Sequence, residues 1–314
     1  MAIHTLEPST ETLHGYFSKE LAPVLTVADG DTLRVKTLDA GWGLEKPPLN
    51  GNHRARKTHP ARDQQAMRGH ALLGPVAIDG AKAGMTLEVQ IGAIVVGDYG
   101  FTFAGGWEHS IHDYLGIADV DEEGLVWDLD ADAGIATNQL GQSVRMKPFM
   151  GQLGMPPPEA GMHHSAPPRI WGGNIDCKEL VSGTTLYLPI PVDGALFSIG
   201  DGHAAQGDGE VSVQAIECPI DRCDVTLKLH EDMPLPAPRA RIDGAWITFG
   251  FDEDLHQASL MALAGMVDLI AAQYQINRAQ ALALASPVVD LRVTQIANPV
   301  LGVHAVLRDD AIQA

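Results

Sequence analysis

Eleven consecutive residues, Gly200-Asp201-Gly202-His203-Ala204-Ala205-Gln206-Gly207-Asp208-Gly209-Glu210, hold four glycines, two aspartates, one histidine and one glutamate. Imidazole and carboxylate together form a donor set for zinc or a comparable divalent ion, and glycine lets a backbone close around a small centre. The run is not an EF-hand, because Asp201, His203 and Ala205 do not supply that loop's alternating oxygen ligands. Asp-Gly and Gly-Asp pairs also mark hairpin turns, so turns leading into a strand at 211–216 are the plainer reading. A second group lies upstream in Trp171-Gly172-Gly173-Asn174-Ile175-Asp176-Cys177-Lys178. If this segment is extended, Asn174, Asp176 and Lys178 share one face, where they could bind metal and polarise a carbonyl, while Cys177 points the other way as a packing thiol. A solvated edge strand is the bland alternative.

Other histidines carry weaker signals. His70, in Arg68-Gly69-His70-Ala71-Leu72-Leu73-Gly74-Pro75, precedes an apolar strand and could reach a shared site. Trp107, His109 and His164 are candidates for the wall of a substrate pocket. Asp39, Asp128 and Asp130 read as turn carboxylates at strand ends.

The elements that must position these residues are mostly β. Thr32-Leu33-Arg34-Val35, Thr86-Leu87-Glu88-Val89 and Thr185-Leu186-Tyr187-Leu188 each follow a glycine turn and alternate in hydropathy. Further strands are expected at 211–216, 225–230, 246–251, 288–296 and 303–307. Helical spacing enters late: Leu260, Leu263, Val267 and Ile270 predict a helix over 254–274, with Asp252, Glu253 and Asp254 beside its positive end. Asn277 caps a second helix over 278–285, which Ser286-Pro287 ends. Strands followed by helices, without βαβ alternation, predict a mainly β fold: a β-sandwich-like core with a smaller α+β part carrying C-terminal helices. The expected division is a β core over 1–225 carrying the site and an α+β part over 226–314. Two long proline-bearing loops, 44–67 and 155–173, are expected to be functional or disordered.

Composition narrows the partners. The chain has 314 residues, 45% of them apolar, and a formal net charge of −19. Such a surface repels polyanions, so neither nucleic acid nor an anionic membrane is expected as a partner. No secretory signal or long apolar span is apparent, and Cys177, Cys218 and Cys223 cannot all pair, so a reducing, cytoplasmic setting is expected.

The run from Gly173 to Lys178, then Gly183-Thr184-Thr185-Leu186-Tyr187-Leu188-Pro189, then Gly194-Ala195-Leu196-Phe197-Ser198-Ile199 leading into Gly200–Glu210, resembles the acetamidase/formamidase family. The likeness extends to Met146-Lys147-Pro148-Phe149-Met150-Gly151, to Val289-Asp290-Leu291-Arg292-Val293-Thr294-Gln295, and to Asn298-Pro299. It implies a mostly β fold and hydrolysis of short linear amides, such as formamide or acetamide, to carboxylate and ammonia at a metal-containing site. On that basis His203, Asp176, Glu210 and His70 are the expected ligands of a divalent metal, zinc first and calcium second. Asp201 or Asp208 would act as general base or orient a ligand, and Lys178 or Asn174 would stabilise the oxyanion. A homodimer or higher homo-oligomer is expected. Two departures bear on substrate: Ala71-Leu72-Leu73-Gly74-Pro75 lacks the hydroxyl of the family's Pro-Leu-Thr-Gly-Pro, and the basic loop 44–67 diverges. A cysteine amidase using Cys177, or a non-catalytic protein that binds metal or a small ligand, are the alternatives.

Overall fold

A computed structural model describes residues 1–49 and 55–313. Residues 50–54 of the expected loop 44–67 lie outside the described residues.

The chain forms two large sheets that share one apolar core. The first has nine strands, in spatial order Ile3–Leu6, Thr32–Thr37, Ile220–His230, Thr86–Val96, Thr185–Pro189, Arg239–Ile242, Ala245–Asp252, Leu301–Arg308 and Val289–Gln295. The second has 11 strands and is centred on Phe197–His203, flanked by Phe149–Gly154, Leu72–Ile78 and Glu217–Cys218. Leu87, Val89, Val225 and Leu227 from the first sheet and Leu73, Phe197 and Ile199 from the second bury in the same cluster. Alternating strands with one apolar face each must meet in this way to remove that face from water. The fold is mainly β, as the Gly-x-Thr-Leu strand starts predict. The expected division between residues 225 and 226 falls inside the strand Ile220–His230.

The C-terminal helices lie where the spacing places them. Asp254 caps Leu255–Tyr274 by accepting from the His256 amide at 2.8 Å, and Asn277 and Gln280 form a reciprocal capping box at the start of Arg278–Ala285. The buried face of the long helix is only partly the expected stripe: Val267 and Ile270 bury together with Ala258, Ala262 and Met266, while Leu260 is exposed. The reason is close approach, since a Cβ on Gly250 of the underlying strand would lie 2.0 Å from the Ala258 carbonyl oxygen. Small residues on both partners let helix and sheet touch backbone to backbone. This helix is also long and apolar enough to cross a membrane by length and composition, with mean hydropathy 1.4.

The expected strand at 211–216 does not form. Val213 takes a left-handed conformation with φ 70°, and residues 211–216 are turns and irregular chain ahead of the short strand Glu217–Cys218.

One buried histidine links this core to pH. His14 donates through Nδ1 to the Tyr16 carbonyl at 2.8 Å and meets the Ser198 hydroxyl through Nε2 at 3.0 Å. Burial lowers its pKa from 6.5 to about 4, against the opposing pull of the Tyr16 carbonyl. Between those values the unfolded chain takes up a proton that the folded one refuses. Its contribution, about 3 kcal/mol, is therefore full above pH 6.5 and lost as pH falls towards 4. Thermal unfolding of His14→Gln is expected to depend less steeply on pH across this window than the wild type. Parallel curves would refute the assignment.

Candidate active site and metal centre

The second sheet places its central strand, Phe197–His203, entirely out of solvent. Register then brings Glu217 directly opposite His203 and Phe149 opposite it on the other side, with Met150 opposite Gly202. Asp201 and His203, two residues apart on this strand, reach the same cluster. Asp176 follows the short strand Gly172–Asn174, and Glu210 lies in a turn whose preceding residue, Gly209, is tied to Thr294 and Ile296 through backbone hydrogen bonds of 3.1 and 2.9 Å.

Three of these four acids have left-handed backbone: Asp176 at φ 52°, Asp201 at 60° and Glu210 at 48°. L-residues visit this region at a cost, and such strain concentrates at functional sites. It also breaks the alternation expected for 174–178. Asp176 turns into the cluster, whereas Lys178 turns away.

His203 is the hub. Its Nε2 lies 3.3 Å from Asp201 Oδ1 and 3.3 Å from Glu217 Oε1, and its Nδ1 lies 3.9 Å from Asp176 Oδ1. Two trios that share this imidazole, Asp176/His203/Glu210 and Asp201/His203/Glu217, each gather their donor atoms within 4.8 Å of one another. All five residues are buried. Yet both oxygens of Asp176, both ring nitrogens of His203, and Asp201 Oδ1, Glu210 Oε2 and Glu217 Oε2 make no hydrogen bond among the described residues. The cluster floors a cavity of about 420 Å³, which Asp201, Glu210 and Glu217 line together with Asn174 and His70.

The electrostatics follow from this crowding. Burial pushes the Asp176 carboxyl far above the usual range, with His203 opposing and the neighbouring acids reinforcing the rise. Burial, and then the Asp176 charge, do the same to Glu210, and burial raises Glu217. For Asp201, burial acts upward, but the neighbouring His70 and His203 imidazoles outweigh it and hold the carboxyl low. Burial alone would strip the His203 proton; Glu217 and Asp201 together reverse this and raise its pKa well above 6.5. Four carboxylates around one imidazole are a poor arrangement for a protein alone, because each unpaired buried charge costs several kcal/mol. Buried carboxyl oxygens and ring nitrogens without partners, gathered this closely, fit a divalent cation in donor type, and the charge of such an ion would hold the raised carboxyls ionised.

Several expected site residues stand elsewhere. Lys178 Nζ pairs with Asp208 at 3.3 Å, and Asp208 also takes Arg292 Nη2 at 2.6 Å. Neither lines the cavity, and Arg292 and Lys178 hold the Asp208 carboxyl low although its partial burial acts upward. These two residues thus form an ion-pair network with Arg292 outside the cavity, away from the five clustered donors. His70 lines the cavity but stands outside both trios: its Nδ1 meets the Gln152 amide at 2.8 Å and the Ser165 hydroxyl at 2.9 Å. Asn174 and His164 line the cavity. His109 instead caps the short helix Ser110–Leu115 and donates to the Ala297 carbonyl at 3.2 Å, so it supports the wall from behind. Trp107 packs on the Tyr99, Phe101 and Phe103 cluster, of which the two phenylalanines face the cavity.

The reading of the sequence missed Glu217. Its signal was a lone acid within Ala215-Ile216-Glu217-Cys218-Pro219-Ile220, a charge in an otherwise apolar run. It also missed Gly151, which faces the cluster, and Asp39, whose buried carboxylate takes Arg56 through two hydrogen bonds of 2.7 and 2.8 Å and the Tyr99 hydroxyl at 2.8 Å. Cys177 is buried beside Glu179, to which its thiol donates at 3.3 Å. Burial and the Glu179 charge push that thiol far up, the opposite of an activated nucleophile.

Residues 3–165 and 159–233 match the Acetamidase/Formamidase family. The chain belongs to that family. It is 27% identical over 250 residues to a formamidase of Methylophilus methylotrophus, a match that covers 64% of this chain and 60% of that relative. The chain thus spans less than two thirds of the length of that curated relative. Among solved structures, the acetamidase of Bacillus halodurans superposes with a TM-score of 0.85 at 26% identity, over 97% of each chain. A predicted acetamidase/formamidase of Thermoanaerobacter tengcongensis does so with 0.82 at 25% identity, over 98% of this chain and 96% of that one.

Proposed function

We propose that this protein hydrolyses short linear amides to carboxylate and ammonia at the cavity floored by Asp201, Glu210 and Glu217. The observation that carries this reading is the cluster of unpartnered acids and one imidazole at the bottom of an open cavity, in a chain of this family. The relatives named formamidase and acetamidase support it.

Asp176, Asp201, His203, Glu210 and Glu217 are the residues that would hold a divalent ion. Zinc is favoured by the shared imidazole, and calcium would be favoured by the excess of oxygen donors. Such an ion supplies Lewis acidity, polarising a carbonyl and making water a better nucleophile near neutral pH. The protein's own groups do the rest. Whichever trio holds the ion, the carboxylates of the other remain to take a proton from water and return it to the departing nitrogen. Gln152 Nε2 also donates to the Ser165 carbonyl at 3.0 Å, which fixes its amide orientation. His70 Nδ1 therefore accepts from Gln152 and keeps its proton on Nε2, available to the carbonyl oxygen as negative charge develops there. The Asn174 amide is a second donor on the same wall. Phe101, Phe103 and Val213 supply apolar surface that excludes water around the reacting carbonyl. Three free, buried cysteines accord with a reducing, cytoplasmic setting.

Ammonia release from formamide, acetamide and propionamide tests the reading, with Cys177→Ala as the discriminating variant. The expected result is turnover that Cys177→Ala retains within about threefold, because Cys177 does not line the cavity and a substitution that leaves the reacting groups in place removes no transition-state contact. A metal-loaded protein that releases no ammonia from any of these amides would instead be the non-catalytic binding protein.

A further inference from the structure

The lining of the cavity carries both signs. Arg56, Arg62, Arg68, His70 and His164 line it together with Asp201, Glu210 and Glu217, and the three acids are buried whereas Arg62 is half-buried and Arg68 exposed. In a chain of net charge −19, a cationic collar around one cavity is a local reversal of the protein's own field. Arg56 is committed to Asp39 through both of its terminal nitrogens. Arg68 is exposed and, among the described residues, pairs with the exposed Asp63 at 3.3 Å. Arg62 differs from both: it is half-buried, and its guanidinium has no ion pair or side-chain hydrogen bond among the described residues. None of residues 50–54, Asn-Gly-Asn-His-Arg, carries an acid that could serve it.

Its position is built. Arg62 sits in the 3-10 turn Pro60–Gln64, whose start His59 caps by accepting from the Ala61 amide at 3.2 Å. The His59 amide donates to the Trp42 carbonyl at 2.8 Å, and Gln65 bonds both the Gly15 amide and the Ala61 carbonyl, at 3.1 and 3.0 Å. The pinned turn fixes where the Arg62 side chain starts, and the planar donors of its guanidinium match a carboxylate with two hydrogen bonds. Size points the same way. A water takes about 30 Å³ of liquid volume, so an amide of four heavy atoms fills roughly 100 Å³, whereas the cavity holds about 420 Å³.

Resting on the amide-hydrolase reading above, we propose that the preferred substrate is a short amide that carries a carboxylate at its far end, with that carboxylate paired to Arg62. The half-amide of a dicarboxylic acid is the simplest such molecule. Its amide end lies on the acidic floor while its carboxylate end lies in the arginine collar. In the reaction the C–N bond breaks, water's oxygen forms the new C–O bond, and water's protons leave with the nitrogen. The products are a dicarboxylate and ammonium.

The test compares succinamate with its uncharged isostere 4-methylpentanamide. Wild-type kcat/KM is expected to favour succinamate at least tenfold at low salt. Arg62→Gln is expected to reduce that ratio at least tenfold, chiefly through the KM of succinamate, and Arg62→Lys to restore part of it. A wild-type ratio of one or less, or a ratio that Arg62→Gln leaves unchanged, overturns the proposal while the amide-hydrolase reading stands. If no amide is turned over, calorimetric binding of succinate decides separately: at least tenfold weaker binding to Arg62→Gln supports the arginine subsite, and equal binding overturns it.

Discussion

His203→Ala is expected to lower ammonia release from acetamide by on the order of 10³-fold or more, the range in which removing a positioned acid, base or ligand falls. His203 is the one residue common to both trios, with a ring nitrogen 3.3 Å from Asp201 and from Glu217 and the other 3.9 Å from Asp176. Losing it removes a donor from each trio at once. It also removes the only imidazole in either trio that offsets the buried acids, so the metal-free variant should lose about 3–5 kcal/mol of stability, as when one partner of a buried ion pair is deleted. Activity and thermal unfolding should therefore fall together, and added divalent metal should recover less stability in the variant than in the wild type. Retention of a tenth of wild-type turnover would remove His203 from the account.

Gly151→Ala is the second large effect, and it isolates geometry from charge. A Cβ at Gly151 would lie 2.6 Å from Asp176 Oδ1, 2.7 Å from His203 Cε1 and 2.9 Å from Asp201 Oδ2. All three contacts are shorter than real Cβ atoms make, so the ligand side chains themselves must move. The backbone at Gly151 is not left-handed, so alanine adds no conformational strain there. Displacement of reacting groups by about 1 Å costs about 10²-fold in rate, and that loss is expected here while the fold persists by circular dichroism. Gly207→Ala is the matched control, since a Cβ there meets nothing within 4 Å. Equal activity in the two variants would mean that the cluster is not where the chemistry occurs.

Much of the framework was legible because local chemistry and tertiary structure agree. The Gly-x-Thr-Leu starts become strands Thr32–Thr37, Thr86–Val96 and Thr185–Pro189, and Asp254 and Asn277 cap helices at the expected positions. Asp176, Asp201, His203 and Glu210 were visible as a concentration of donors among glycines. Their arrangement was not. Parity arguments assume an extended chain, and left-handed backbone at Asp176, Asp201 and Glu210 redirects those side chains. The same break sends Lys178 and Asp208 to Arg292 and Glu179, although they neighbour the site in sequence. Glu217 escaped because it enters through a two-residue strand, Glu217–Cys218, whose register opposite His203 is a purely long-range fact. The basic loop ahead of His70 diverged visibly in sequence, but only the fold shows that its Arg56 and Arg62 line the same cavity as the acids.

The most direct test of the central claim measures bound metal and acetamide hydrolysis on the same sample before stripping, after stripping and after divalent metal is restored. About one or two ions per chain are expected at the carboxylate and imidazole cluster, with loss of nearly all ammonia release on stripping and recovery on restoration. Full turnover by protein shown to be free of metal would contradict it.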